Sequence, residues 1–181
     1  MTNYKIIFTG PVGAGKTTAI SSISDRPPVS TDKVASDMTR DMKKTTTVAC
    51  DYGTVRLNDD DCLHLYGTPG QQRFDFMWDI LVSGGIGLVL LLDNTRPDPF
   101  QDMTFFLGQF QDFIDQTQVA VGVTQMDRKS SPCIDDYHSH LNKQGLTIPV
   151  FDVDARKRHD VSLLIKALLF SLDPGLLENN D

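Results

Sequence analysis

Apolar runs and polar breaks alternate along the chain, and they predict strands and helices in turn. Residues 4–9, Tyr-Lys-Ile-Ile-Phe-Thr, read as a buried strand, and residues 17–23 can open a helix. Residues 24–47 show no clear period. They hold Pro27, Pro28 and the adjacent lysines Lys43 and Lys44, and they predict a long loop with room for one helical turn. Residues 48–57 read as a strand, with Val48, Cys50 and Tyr52 alternating on one face. Asn58-Asp59-Asp60-Asp61 is a solvated turn rather than a metal site, and 62–66 is the returning strand of a hairpin. A short helix follows over 75–82, stopped by Ser83, Gly84 and Gly85. Residues 87–92, Gly-Leu-Val-Leu-Leu-Leu, have the pattern of a central parallel strand buried on both faces, closed by Asp93. A helix is expected over 98–116, with Phe105, Leu107, Phe110 and Phe113 on its core face. A strand over 118–123, a weak helix over 134–142, a strand over 148–153 and a helix over 160–172 complete the chain.

This alternation, interrupted by one early hairpin, predicts an α/β fold in three layers. Its mostly parallel six-stranded sheet has one antiparallel edge strand and helices on both faces. Ligands of such folds sit at the carboxyl ends of the strands. Composition narrows the reading. A length of 181 residues suits one domain over 1–181, and the net charge of -7 argues against nucleic acid as a partner. Cys50, Cys62 and Cys133 lack metal-type spacing and are expected to be reduced thiols of a cytoplasmic protein. No signal peptide, prenylation cysteine or membrane-spanning run is visible, and Thr2 excludes N-myristoylation. The expectation is therefore no direct membrane anchor.

Gly10-Pro11-Val12-Gly13-Ala14-Gly15-Lys16-Thr17 fits the phosphate-loop pattern G-x-x-x-x-G-K-[ST] between a strand and a helix. Backbone N–H groups of Gly10 and of Val12 through Thr18 can converge on phosphate oxygens. Lys16 should reach the β/γ-phosphates and assist catalysis, and the Thr17 hydroxyl should ligate Mg²⁺. An ordinary Gly-rich turn would not carry all four fixed positions in this setting.

A phosphate loop does not choose among kinases, ATPases and GTPases. Thr124-Gln125-Met126-Asp127 matches the guanine-reading pattern [NT]-K-x-D at three of four positions, counting the free one. An aspartate there accepts hydrogen bonds from guanine N1–H and the 2-amino group, and such mismatches discriminate by about 10⁴ or more. In register after a phosphate loop, this outweighs a plain strand-end turn. Gly67-Thr68-Pro69-Gly70-Gln71 stands where GTPases carry D-x-x-G-Q. Gly70 N–H would meet the γ-phosphate, and Gln71 would orient the attacking water. Thr47 would complete the Mg²⁺ shell, with Thr45 and Thr46 as competitors for that position. Asp154-Ala155-Arg156 stands where GTPases have S-A-K, so Ala155 N–H would contact guanine O6.

Together these residues resemble the bacterial Ras-like small GTPases, the group of the gliding-motility protein MglA and related prokaryotic small GTPases. His64-Leu65-Tyr66-Gly67-Thr68-Pro69-Gly70-Gln71 is the most specific stretch, and the resemblance covers 5–172. It implies a Ras-like P-loop NTPase domain, a monomer that binds GTP and GDP with Mg²⁺ and hydrolyses GTP slowly. It further implies a protein effector and a roadblock-type regulator. Four departures bear on this. Gly67 replaces the aspartate that usually holds a Mg²⁺-bound water, as in MglA-like proteins; Asp51, Asp93 or water alone are the open substitutes. Gln125 replaces the lysine whose stem packs on the base. Val12 would crowd Gln71 or an incoming arginine. Thr46 stands where MglA-like proteins have an arginine, leaving Arg40 and Arg73 as internal fingers or solvated surface residues. His138 and His140 lie two apart and share no helix face. The single tryptophan, Trp78, follows Gly70 and Gln71 and would either report the switch or anchor the core. A non-hydrolysing pseudo-GTPase scaffold and a small ATP-dependent kinase are the alternatives; the kinase would need a basic lid, and no Arg-rich segment supplies one.

Overall fold

The computed structural model describes residues 2–27, 29–30, 51–58, 60–70 and 78–172. In chain order the elements are β1 (Thr2–Thr9), α1 (Lys16–Ile23), β2 (Val29–Ser30), β3 (Asp51–Arg56), β4 (Asp61–Gly67), α2 (Trp78–Val82), β5 (Gly87–Asp93), α3 (Pro99–Gln109), α4 (Gln111–Ile114), β6 (Val119–Thr124), α5 (Ile134–Lys143), β7 (Val150–Asp152) and α6 (Arg158–Leu172). The strands form one sheet in the order β2-β3-β4-β1-β5-β6-β7. From β4 to β7 every pair is parallel, and β3 runs antiparallel to β4. The expected six strands are present, and the two-residue β2 extends the antiparallel edge beyond β3.

The apolar run at 87–92 forms β5, which is buried at every position. Alternation along the parallel strands splits the core in two. Ile6, Phe8, Val89 and Leu91 face α1 and α6, where Ala19, Ile20, Val161, Leu164 and Leu168 meet them. Ile7, Leu88, Leu90 and Leu92 face the other layer, built from Trp78, Met103, Phe106, Phe110, Tyr137 and Leu141. Truncating any of the fully buried leucines of β5 to alanine is expected to cost about 2–5 kcal/mol.

The helix expected over 98–116 is divided. Asp98 caps α3 by accepting from Gln101 N at 2.9 Å, and Pro99 occupies the first turn. At Phe110 (φ -103, ψ 16) the chain leaves helical geometry before α4. The core face is Met103, Phe106, Leu107 and Phe110, the i, i+3, i+4, i+7 set of one helix face. Phe105 and Phe113, expected on that face, pack only at its margin: Phe105 falls off this spacing, and Phe113 lies beyond the break at Phe110. The hairpin turn is organised by Asn58, whose Oδ1 accepts from Asp60 N (2.9 Å) and Asp61 N (2.7 Å).

The carboxyl ends of β1, β4, β5, β6 and β7 share one edge of the sheet. The antiparallel β3 brings its first residue there, since Asp51 pairs with Gly67. Thr45, Thr46, Thr47, Gln71, Arg40, Arg73, Lys43, Lys44, Val48 and Cys50 lie outside the described residues. Among the described residues no helix is long and apolar enough to cross a membrane.

Candidate functional site

β1 passes into the loop through Gly10, whose φ of 135° lies in the region that favours glycine. A Cβ there would stand 2.0 Å from the Leu91 carbonyl oxygen, so the loop presses directly on the backbone of β5. Gly13 (φ 85°) and Gly15 (φ 95°) continue the turn, and α1 begins at Lys16. No side chain caps α1 at Gly15, and its first turn holds no acidic residue. Its leading N–H groups are therefore available to an anion. Ala14 and Lys16 are buried, whereas Val12, Gly13, Thr17 and Thr18 are exposed on the outer side of the loop. Lys16 Nζ donates to the carbonyls of Gly10 (2.7 Å) and Pro11 (2.8 Å). Burial pushes the Lys16 ammonium down to about 8, opposed by the attraction of Asp51. Phosphate oxygens at the loop would supply the countercharge this buried ammonium lacks.

The segment after β4 is tied to β1. Thr68 N donates to Phe8 O at 2.8 Å, and Thr68 Oγ1 donates to Thr9 Oγ1 at 2.9 Å. Gly70 then lies against the loop: a Cβ there would be 2.7 Å from Val12 N and 2.8 Å from Lys16 Nζ. Trp78 Nε1 donates to Pro69 O at 3.3 Å, and its ring stacks on Phe110 with centroids 5.1 Å apart. The tryptophan is thus both a core anchor and a neighbour of the segment bearing Gly70. Thr17 Oγ1 donates to Asp51 Oδ2 at 2.5 Å. Asp93 is committed to the turn after β5, accepting from Thr95 N (2.8 Å) and Thr95 Oγ1 (2.6 Å).

Beside the loop opens a cleft of about 710 Å³, lined by Gly13, Thr18, Thr124, Gln125, Asp127 and Ala155 among others. The buried Thr124 hydroxyl lies 3.1 Å from Ala14 O and 3.0 Å from Leu92 O, sharing its proton between loop and sheet. Gln125 adopts a φ of 60°, and its Oε1 accepts from Arg128 at 3.1 Å. Asp127 is exposed at the cleft mouth. Ala155 is buried, and a Cβ on Gly15 would stand 3.0 Å from its own Cβ. Arg156 grips Asp154 through Nε (2.8 Å) and Nη2 (2.9 Å), drawing that carboxyl down to about 2. Burial and the like charges of Asp160 and Asp127 raise Asp152.

Asn94 was not singled out by the sequence. Its Nδ2 donates to Lys129 O (2.6 Å) and Pro132 O (3.1 Å), and its Oδ1 accepts from Tyr137 at 2.7 Å. Burial raises the Tyr137 hydroxyl, keeping it a donor. This buried post holds the loop that carries Asp127. His140 instead stacks on Phe100, with centroids 4.8 Å apart. Among the described residues no group of three or more His, Cys, Asp and Glu side chains comes together to hold a metal. A magnesium ion here would share its ligands with phosphate, which suits its habit of binding one or two protein groups plus a nucleotide.

Residues 26–132 match a family described as conserved hypothetical ATP binding protein. An uncharacterized protein of Methanocaldococcus jannaschii is 32% identical over 92 residues, 51% of this chain and 52% of that protein. The Ras-related protein RABA1h of Arabidopsis thaliana is 24% identical over 119 residues, 64% of this chain and 49% of that protein. RABA2a of the same plant is 21% identical over 153 residues, 80% of this chain and 64% of that protein. The chain thus spans about half the length of the first two relatives. These similarities support a nucleotide-binding P-loop protein of Ras-like fold; the expected bacterial, MglA-type kinship is narrower than they reach.

Proposed function

Since the chain belongs to the family of conserved hypothetical ATP binding proteins, we propose that it is a nucleotide-dependent switch. It takes GTP and GDP with Mg²⁺, hydrolyses GTP slowly, and relays its state to a partner protein. The observation that carries this reading is the Thr124 hydroxyl on Ala14 O, which joins the phosphate loop to the segment bearing Asp127 along one cleft. Lys16 and the N–H groups of Gly13 through Thr18 hold the phosphates. Asp127 accepts from guanine N1–H and the 2-amino group, and Ala155 N–H donates to O6. Thr124 and Gln125 shape the base end of the site.

Thr17 and Thr47 would hold Mg²⁺, which when bound withdraws charge from the β/γ-phosphate oxygens. Gly70 N–H meets the γ-phosphate, and Gln71 orients a water for attack on the γ-phosphorus, giving GDP and phosphate. With no arginine finger assigned from the sequence, intrinsic turnover is expected on the order of 10⁻⁴ to 10⁻² s⁻¹. A roadblock-type regulator and an effector belong to this same proposal. A second reading, ATP in the same cleft, is favoured by the family description and by Gln125 in place of a lysine.

Competition of GTP and ATP against a fluorescent nucleotide separates the two. Wild type should prefer GTP, and Asp127→Asn should lose at least about 3 kcal/mol of GDP affinity while gaining xanthosine nucleotides. Equal affinity for ATP and GTP would refute the guanine assignment.

A further inference from the structure

The last residue of β4, Gly67, stands where the resemblance calls for a carboxylate, and the neighbouring strand fills that space. A Cβ on Gly67 would lie 3.1 Å from Asp51 Cβ and 3.2 Å from Asp51 Oδ2. Asp51 is the direct ladder partner of Gly67, so its side chain enters from β3 the volume a residue-67 side chain would enter from β4. Its Oδ2 accepts the Thr17 hydroxyl proton at 2.5 Å, the length of a hydrogen bond to an ionised carboxylate.

Resting on the nucleotide-site reading above, we propose that Asp51 is the carboxylate of the magnesium site, carried on β3 instead of β4. With its proton held by Asp51, the Thr17 hydroxyl turns its lone pairs toward a cation at the loop. The remaining carboxylate oxygen would be left to accept from a water on that cation. Outer partners of this kind orient ligands and raise their basicity. Asp93 is the poorer candidate: its Oδ1 accepts from Thr95 N and Oγ1, and among the described residues it is Asp51, not Asp93, that bonds the Thr17 hydroxyl. A side chain at Gly67 would press on Asp51 and on Ile20 Cδ1, 3.1 Å from a Cβ there, and so crowd the Asp51–Thr17 contact.

The test is the release rate of fluorescent GDP and fluorescent ADP, whichever the wild type retains, across buffered Mg²⁺ concentrations. Asp51→Asn should raise the Mg²⁺ needed to half-slow release by about 10- to 100-fold, the usual cost of losing an outer partner. Gly67→Asp alone should also impair the Mg²⁺ response by crowding Asp51. The double variant Asp51→Ala/Gly67→Asp returns the carboxylate to β4 and should recover most of the wild-type response. A purely structural Asp51 would not be rescued from the neighbouring strand. Wild-type Mg²⁺ dependence in Asp51→Asn, or no rescue by the double variant in protein that melts cooperatively, overturns the proposal alone. Wild-type release that ignores Mg²⁺ overturns it together with the reading of the site.

Discussion

Replacing Gly70 with alanine would press a methyl group into the phosphate loop. Its Cβ would stand 2.7 Å from Val12 N, 2.8 Å from Lys16 Nζ and 2.9 Å from Pro11 C. Two of these atoms are loop backbone and cannot step aside. The third is held by the carbonyls of Gly10 and Pro11 at 2.7 and 2.8 Å. The other end of the segment is pinned through Thr68 to Phe8 and Thr9. Relief therefore comes from residue 70 swinging away from the loop, taking its N–H off the proposed γ-phosphate contact. A hydrogen bond to a charged group contributes about 1.5–3 kcal/mol, so triphosphate affinity should fall about 10- to 150-fold. GDP does not reach residue 70 and should lose less than about 3-fold. Overpacking should also destabilise the nucleotide-free protein by about 1–3 kcal/mol, a few degrees in Tm. Titrations of wild type and Gly70→Ala with a non-hydrolysable fluorescent GTP analogue and with GDP measure the ratio. Equal losses for both nucleotides, or none, would refute the contact between residue 70 and the γ-phosphate.

Gly10→Ala combines a φ of 135° with a Cβ placed 2.0 Å from Leu91 O. It should cost at least about 3 kcal/mol, read as a lower urea midpoint. Asp25 accepts from Arg56 N (2.6 Å) and Arg158 Nη2 (3.0 Å), and these bonds hold its carboxyl below the usual range. Its stabilisation is complete above the unfolded carboxyl pKa and is lost as pH falls through the depressed folded value. Asp25→Asn should therefore lower Tm at neutral pH by the equivalent of no more than about 1 kcal/mol, and melts should converge in acid; a gap that widens in acid would contradict the assignment. Trp78 is 3% exposed and bonded to Pro69 O, so its emission should be poorly quenched by iodide yet differ between GDP and GTP-analogue states. Superimposable spectra would remove the coupling between this indole and the γ-phosphate end.

The phosphate loop was legible because its requirements are local: eight consecutive residues fix spacing, glycine positions and the start of a helix. β5 was legible because an uninterrupted apolar run cannot face water on either side of a sheet. The helix after it was less so. Three phenylalanines and Leu107 were expected inward, yet spacing places Met103 and Phe106 there, and no proline announces the break at Phe110. Gly67 was visible as a departure, but its partner was not singled out from three candidates. The pairing of Asp51 with Gly67 depends on the register of a hairpin, which is set by the Asn58 turn and not by local pattern. Asn94 and Tyr137 are 43 residues apart and meet only once α5 has packed on the sheet.

The two ends of the cleft carry opposite electrostatic demands, and these bear on which base it takes. At the loop end a desolvated ammonium and uncapped N–H groups favour anions. At the other end burial and the like charges of Asp160 and Asp127 raise the Asp152 carboxyl, and with Asp154 these carboxylates outnumber Arg128, Arg156 and Lys157 along the lining, so that end favours hydrogen-bond donors. A nucleotide bound with phosphates on the loop is thereby oriented before any base-specific contact forms. Guanine presents two adjacent donors, N1–H and the 2-amino group, to a carboxylate. Adenine presents one donor beside an unprotonated N1, whose lone pair would face the negative end. The potential favours guanine in the same sense as Asp127, and Asp127→Asn removes a carboxylate from both effects. Its loss of preference for GTP over ATP should therefore shrink with added salt, since the phosphate charge is common to both nucleotides and the long-range part of the base preference is screened while the paired contact is not. A salt-independent loss would assign the whole preference to the direct contact.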